Sequence, residues 1–107
     1  MISNRNKIIE WLYNNDILDY VIDDNMVVSV NSSVKLMVNG GDGYIPIQFG
    51  VVGGNFDCSG VKLESLKGSP VEVGGDFICD YNFLESLMYS PERVFGNFSF
   101  YSSNLLS

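Results

Sequence analysis

Three hydrophobic rhythms follow one another along the chain. In residues 4–15 the apolar side chains Ile8, Ile9, Trp11 and Leu12 fall near helical spacing, which predicts a helix over that stretch. Ser3 or Asn4 can cap it, and the polar cluster Asn14-Asn15-Asp16 ends it. Two short runs rich in β-branched residues follow, at 20–22 and 26–30, flanking Asp23-Asp24-Asn25. Strand-like runs around a polar turn predict a β-hairpin. Beyond Gly54 the pattern becomes periodic.

Gly54, Gly75 and Gly96 open successive units of period 21. The first reads GNFDCSGVKLESLKGSPVEVG, the second GDFICDYNFLESLMYSPERVF and the third GNFSFYSSNLLS. Phe56, Phe77 and Phe98 coincide, as do Leu63, Leu84 and Leu105. Leu66 matches Leu87, Pro70 matches Pro91 and Val73 matches Val94. Cys58 and Cys79 share a position that Phe100 fills in the third unit. An earlier, weaker unit precedes these. Val34 and Leu36 stand 22 positions before Phe56 and Cys58, but Ile45 stands 21 before Leu66, which implies an indel inside that unit.

The alternation Phe-x-Cys places Phe56 and Cys58 on one face of a short strand. Residues 77–84, F-I-C-D-Y-N-F-L, fit the leucine-rich-repeat core L-x-L-x-x-N-x-L, with Asn82 in the asparagine slot. There a side-chain amide can bond backbone groups at the turn leaving the strand. Val61 and Ser103 fill the slot in the other units, so the ladder reads as incomplete. Such repeats stack into a solenoid, here with one strand expected per coil. Gly68-Ser69-Pro70 and Gly74-Gly75 oppose a helix after the strand, so the outer side is expected to be extended or turn-rich. The expected fold is mostly β with an N-terminal helix (α+β). It is a leucine-rich-repeat-like solenoid of about 2.5–3.5 coils over residues 32–107. Residues 1–31 form its helix-and-hairpin cap, since solenoids need shielded end coils, and the whole chain is one domain.

Composition narrows the function classes. The 46% hydrophobic content opposes disorder, and no apolar run reaches the roughly 20 residues of a membrane span. The start, MISNRNKIIEWLYNN, lacks a signal peptide's apolar region and cleavage site, so a reducing cytoplasm is the expected compartment. Six basic and thirteen acidic residues give a net charge of −7, shared evenly between the two halves. No basic patch can neutralise phosphates, so neither nucleic acid nor an anionic membrane is expected as a direct partner. An acidic surface favours partners with a basic surface, including proteins that themselves bind nucleic acid.

The repeat region resembles the short leucine-rich-repeat-like proteins encoded among the accessory genes of tailed bacteriophages. The residues that carry the resemblance are Asn55-Phe56-Asp57-Cys58-Ser59, Leu63-Glu64-Ser65-Leu66, Lys67-Gly68-Ser69-Pro70 and residues 71–77. The IIEWL helix and the IPIQFG lead-in look similar too, so the likeness spans most of the chain. Gly60 and Val61 depart from it, standing where such repeats usually carry Asn. The resemblance implies a small non-enzymatic phage protein that acts on host or defence machinery by contact, often as an inhibitor.

Chemistry-bearing motifs are missing. The chain has no histidine, no phosphate-binding glycine loop with its lysine, and no nucleophile elbow. Gly40-Gly41-Asp42-Gly43 reads as a plain loop. No enzyme, cofactor or metal site is expected. Cys58 and Cys79 should lie inward on adjacent coils, about 4.8 Å apart along the stack. That spacing allows a disulfide, but a reducing compartment favours buried thiols.

Residues between the inward ones are expected on an open concave face: Asn55, Asp57 and Ser59, then Asp76, Ile78 and Asp80, then Asn97, Ser99 and Tyr101. Tyr81 follows at the rim. Carboxylates beside exposed Ile and Tyr suit a partner contact, and solenoids often bind there. Two other readings remain open, an acidic mimic of nucleic acid and a sponge for a small anionic ligand. The sponge would have to rely on Arg5, Lys7, Lys35, Lys62, Lys67, Arg93 and backbone amides. The third unit stops before any match to Leu66, so a homodimer is expected through an edge formed by Phe98, Phe100 and Leu105, the alternative being a monomer in which residues 104–107 fold back over that edge.

Overall fold

A computed structural model describes residues 1–101. Its N-terminal part follows the sequence pattern closely. Helix α1 spans Arg5–Asn14, and the Asn4 side chain caps it by accepting the amides of Asn6 and Lys7 at 2.9 and 3.2 Å. Ile8, Trp11 and Leu12 turn inward, whereas Ile9 stays exposed. Strands β1 (Tyr20–Ile22) and β2 (Val27–Val30) form the antiparallel hairpin. Asp23 shapes its turn, its Oδ1 accepting the amides of Asn25 and Val27.

Seven further strands alternate between two sheets: β3 (Val34–Lys35), β4 (Gln48–Val52), β5 (Phe56–Asp57), β6 (Glu72–Val73), β7 (Phe77–Ile78), β8 (Arg93–Val94) and β9 (Phe98–Ser99). One sheet has the order β1-β2-β4-β6-β8 and the other β3-β5-β7-β9. All pairs except β1–β2 are parallel. The chain is thus a β-solenoid of about three turns, mostly β with one N-terminal helix. Register matches the repeat, with Val34, Phe56, Phe77 and Phe98 aligned across the second sheet. The weak first unit is therefore a true coil. One expectation changes. Each coil carries two strands, not one, because Val73 and Val94 reach inward just before the Gly74-Gly75 and Phe95-Gly96 corners and build a second parallel ladder.

Aromatic rings run along the interior. Trp11 meets Phe49 at 6.2 Å between centroids, Phe49 meets Phe56 at 5.1 Å, Phe56 stacks on Phe77 at 5.8 Å, and Phe77 meets Phe98 at 5.0 Å. Leu63, Leu66, Leu84 and Ile45 complete the buried arc at repeat-equivalent positions. Gly68 is required where coils meet. Its φ is +92°, and a Cβ there would lie 2.5 Å from the carbonyl oxygens of both Ile45 and Ile47.

Candidate partner-binding face

On β5, β7 and β9 the side chains alternate. Phe56 and Phe77 are fully buried and Phe98 is half-buried, while Asp57, Ile78 and Ser99 form an outward row in direct register. Lys35 precedes Asp57 in the same row. Just past the strands lie Ser59, Asp80, Tyr81 and Tyr101.

These residues form a connected polar network. Asp57 accepts the Ser59 amide through Oδ1 at 2.9 Å, and the Ser59 hydroxyl oxygen accepts the Asp80 amide at 3.1 Å. Asp80 Oδ1 accepts both the Ser99 hydroxyl and, at 2.8 Å, the Tyr101 amide. The rings of Tyr81 and Tyr101 meet edge-on at 5.6 Å, and the two residues are 60% and 66% exposed. Seven of the ten residues expected on this face or at its rim are thereby adjacent. Asn55, Asp76 and Asn97 stand apart, in a separate row at the strand entrance where a side-chain oxygen accepts the amide one coil further on. Ser33 Oγ accepts from Asn55 at 2.9 Å, Asn55 Oδ1 from Asp76 at 2.8 Å, and Asp76 Oδ1 from Asn97 at 2.8 Å.

The asparagine slot behaves as its spacing suggests. Asn82 is buried, accepts the amides of Val61 and Leu63 at 3.2 and 3.0 Å, and donates to the carbonyls of Cys58 and Cys79 at 2.9 and 3.1 Å. Two residues outside the expected ladder extend this role. Asn39 donates to the Val61 carbonyl at 2.7 Å, and the buried Asn15 accepts the amides of Met37 and Val38 at 2.8 and 3.2 Å. The offset that aligns Val34 with Phe56 also aligns Asn39 with Val61, so that signal was present in the sequence.

Cys58 and Cys79 are buried thiols in adjacent coils, and Cys79 donates to the Ser99 carbonyl at 3.2 Å. Burial pushes the Cys79 thiol up to about 12, with Asp80 adding to it, and raises Cys58 well above its ordinary value for the same first reason. The thiols are therefore poor nucleophiles.

The cations are scattered over separate contacts. Arg5 donates to the carbonyls of Ile22 and Asp23, Lys67 sits 5.2 Å over the Tyr44 ring, and Arg93 pairs with Glu72 at 3.4 Å. Among the described residues no group of three or more Cys, Asp or Glu side chains could hold a metal ion. No helix among them is long and apolar enough to cross a membrane. At the expected dimer edge, Phe98 is half-buried and Phe100 is exposed, while Leu105 lies outside the described residues. No protein-family model, curated protein or solved structure matches the chain.

Proposed function

We propose that the chain is a non-catalytic protein-binding module that engages a partner through the outward face of its second sheet. One observation carries this reading. The carboxylates of Asp57 and Asp80 are tied to neighbouring donors beside an exposed tyrosine pair, so polar and aromatic contact groups are held in place before a partner arrives. The proposed partner has a basic surface, which the net charge of −7 favours. The hydrogen bonds of Asn82 support treating the solenoid as leucine-rich-repeat-like. With it comes the biological class the repeat resembles, a phage-encoded inhibitor of a host or anti-phage defence protein acting in the host cytoplasm. The test is quantitative capture from bacterial lysate. The quadruple variant Asp57→Asn, Asp80→Asn, Tyr81→Ala, Tyr101→Ala should lose the protein that the parent chain enriches, and undiminished capture places the site elsewhere.

An acidic mimic of nucleic acid is the rival, favoured by the same charge. Capture that collapses steeply with added salt supports mimicry, whereas binding anchored on the tyrosines resists salt. The scattered cations supply no convergent site for a small anion, so the sponge ranks below both.

Self-association completes the proposal. Strand β9 is the last strand of its sheet among the described residues, residues 94–101 carry no charge, and Phe95, Phe100 and Tyr101 are exposed. An uncharged apolar edge on an acidic chain suits a second copy, because pairing there sets no like charges face to face.

A further inference from the structure

Between the first two coils, on the rim that follows the second sheet, lies a cavity of about 360 Å³. Met37, Val38, the almost buried Val61 and Lys62 line it. The remaining lining includes two glycines, Gly41 and Gly60, and at each an added Cβ would meet nothing within 4 Å.

Gly60 explains why the space is open. Its repeat equivalents are Val38 in the coil before and Tyr81 in the coil after, which are 48% and 60% exposed. Gly60 and Tyr81 share the same left-handed turn, with φ of +66° and +57°. The turn therefore accepts a large side chain, and the glycine is not demanded by crowding. The rim has a side chain at this position in the coils on either side and a gap between them. Asn39 is already engaged, donating to the Val61 carbonyl and accepting the Gly41 amide through Oδ1. What remains is an apolar notch with one cation.

We propose that the notch receives one aromatic side chain of the partner protein, with a carboxylate next to it that pairs with Lys62. The proposal deepens the partner-binding reading and rests on it. The next coil shows what the rim accommodates, since Tyr81 fills the equivalent position and packs its ring edge-on against Tyr101. The partner supplies the ring that the second coil lacks. The volume falls at the lower end of the roughly 300–1,000 Å³ typical of ligand pockets, enough for one ring and its neighbour. Met37 adds an adaptable wall. On a chain of net charge −7, Lys62 marks a local reversal, so the anchor is accompanied by an acid although the wider partner surface is basic.

The test needs no partner. N-acetyl-tyrosine, which carries a carboxylate, and N-acetyl-tyrosinamide, which does not, are titrated into the full chain while methyl resonances of Met37, Val38 and Val61 are followed. Saturable shifts at those three residues are expected at roughly millimolar probe. The acid should bind about two- to five-fold tighter than the amide, as an exposed ion pair allows, and Lys62→Gln should erase that difference. Gly60→Tyr fills the notch from within and should abolish the shifts. Val38→Glu, at an exposed position, repeats the test should Gly60→Tyr fail to fold. Shifts that are absent, or that persist in both variants, overturn the notch. So does equal binding of the two probes. The probe result is independent of lysate capture, so failure of the notch and failure of the sheet-face reading are told apart.

Discussion

The Oδ1 of Asp76 accepts the backbone amide of Asn97, one coil further on, at 2.8 Å. A carboxylate that reads in sequence as a contact residue is therefore also a brace between coils, and Asp80 braces Tyr101 in the same way. Charge and bracing can be separated, because asparagine keeps the Oδ1 acceptor and removes the charge.

Asp76→Asn and Asp80→Asn are expected to melt within about 0.5 kcal/mol of the parent chain. Asp76→Ala and Asp80→Ala should each lose about 0.5–1.5 kcal/mol, the worth of a side-chain hydrogen bond. Urea denaturation of the four variants measures this. Equal stability of the alanine and asparagine forms would remove the bracing role.

Asn82 has a larger effect. It satisfies two amides and two carbonyls in the buried arc, with a further bond to the Asp80 carbonyl at 3.3 Å. Asn82→Leu removes all of these and strands the amides of Val61 and Leu63 away from water. The expected loss is roughly 3–5 kcal/mol. A melting curve close to that of the parent would show that the arc finds other partners.

The repeat was legible because buried positions recur at a fixed period. Phe56, Phe77 and Phe98 align in the sheet as they align in the sequence. The second ladder was less legible. A two-residue strand such as Glu72–Val73 shows no alternation of its own, and its neighbours are turn-forming glycines. Asn15 was invisible for another reason, since it lies in the cap and reaches Met37 and Val38 from outside any repeat unit. The outward row could be read from alternation. That Asp76 separates from Asp80 could not, because both partition by which backbone amide the next coil brings within reach.

Gly68 is expected to be the least replaceable residue of the outer arc. Gly68→Ala combines a left-handed backbone with a Cβ forced against two carbonyl oxygens that cannot retreat. The summed penalty is roughly 2–4 kcal/mol. Tyr89 occupies the equivalent position at φ +70°, so Tyr89→Ala should cost far less. Thermal melts of the two variants compare them directly, and equal losses would discount the Ile45 and Ile47 contacts.

The cysteines should stay inert in the folded chain. Burial favours the neutral thiol, so the native state holds protons that the unfolded state releases. The contribution of Cys79 to stability is full below about pH 9 and declines as pH rises toward about 12, and that of Cys58 declines in the same direction. Native protein at pH 8 should resist iodoacetamide, and after denaturation without reductant it should take up two alkyl groups. A mass two protons light with no alkyl groups would reveal a disulfide instead.

The last coil bears on the proposed self-pairing. In the inner coils, the amides of Phe77 and Cys79 donate to the carbonyls of Asn97 and Ser99, each at 2.8 Å. The equivalent amides belong to Phe98 and Phe100, on a strand with no neighbour beyond it among the described residues. A second copy can satisfy them by antiparallel pairing across a two-fold axis, the commonest closed geometry. Phe95 and Phe100 would gain cover, and no charge from residues 94–101 enters the contact. Light scattering at micromolar concentration is expected to give the mass of two 11.9 kDa chains. A mass near a single chain refutes the pairing. Phe100→Glu places two carboxylates at the contact and should split the dimer. A Phe100→Glu chain that stays dimeric would move the interface away from β9.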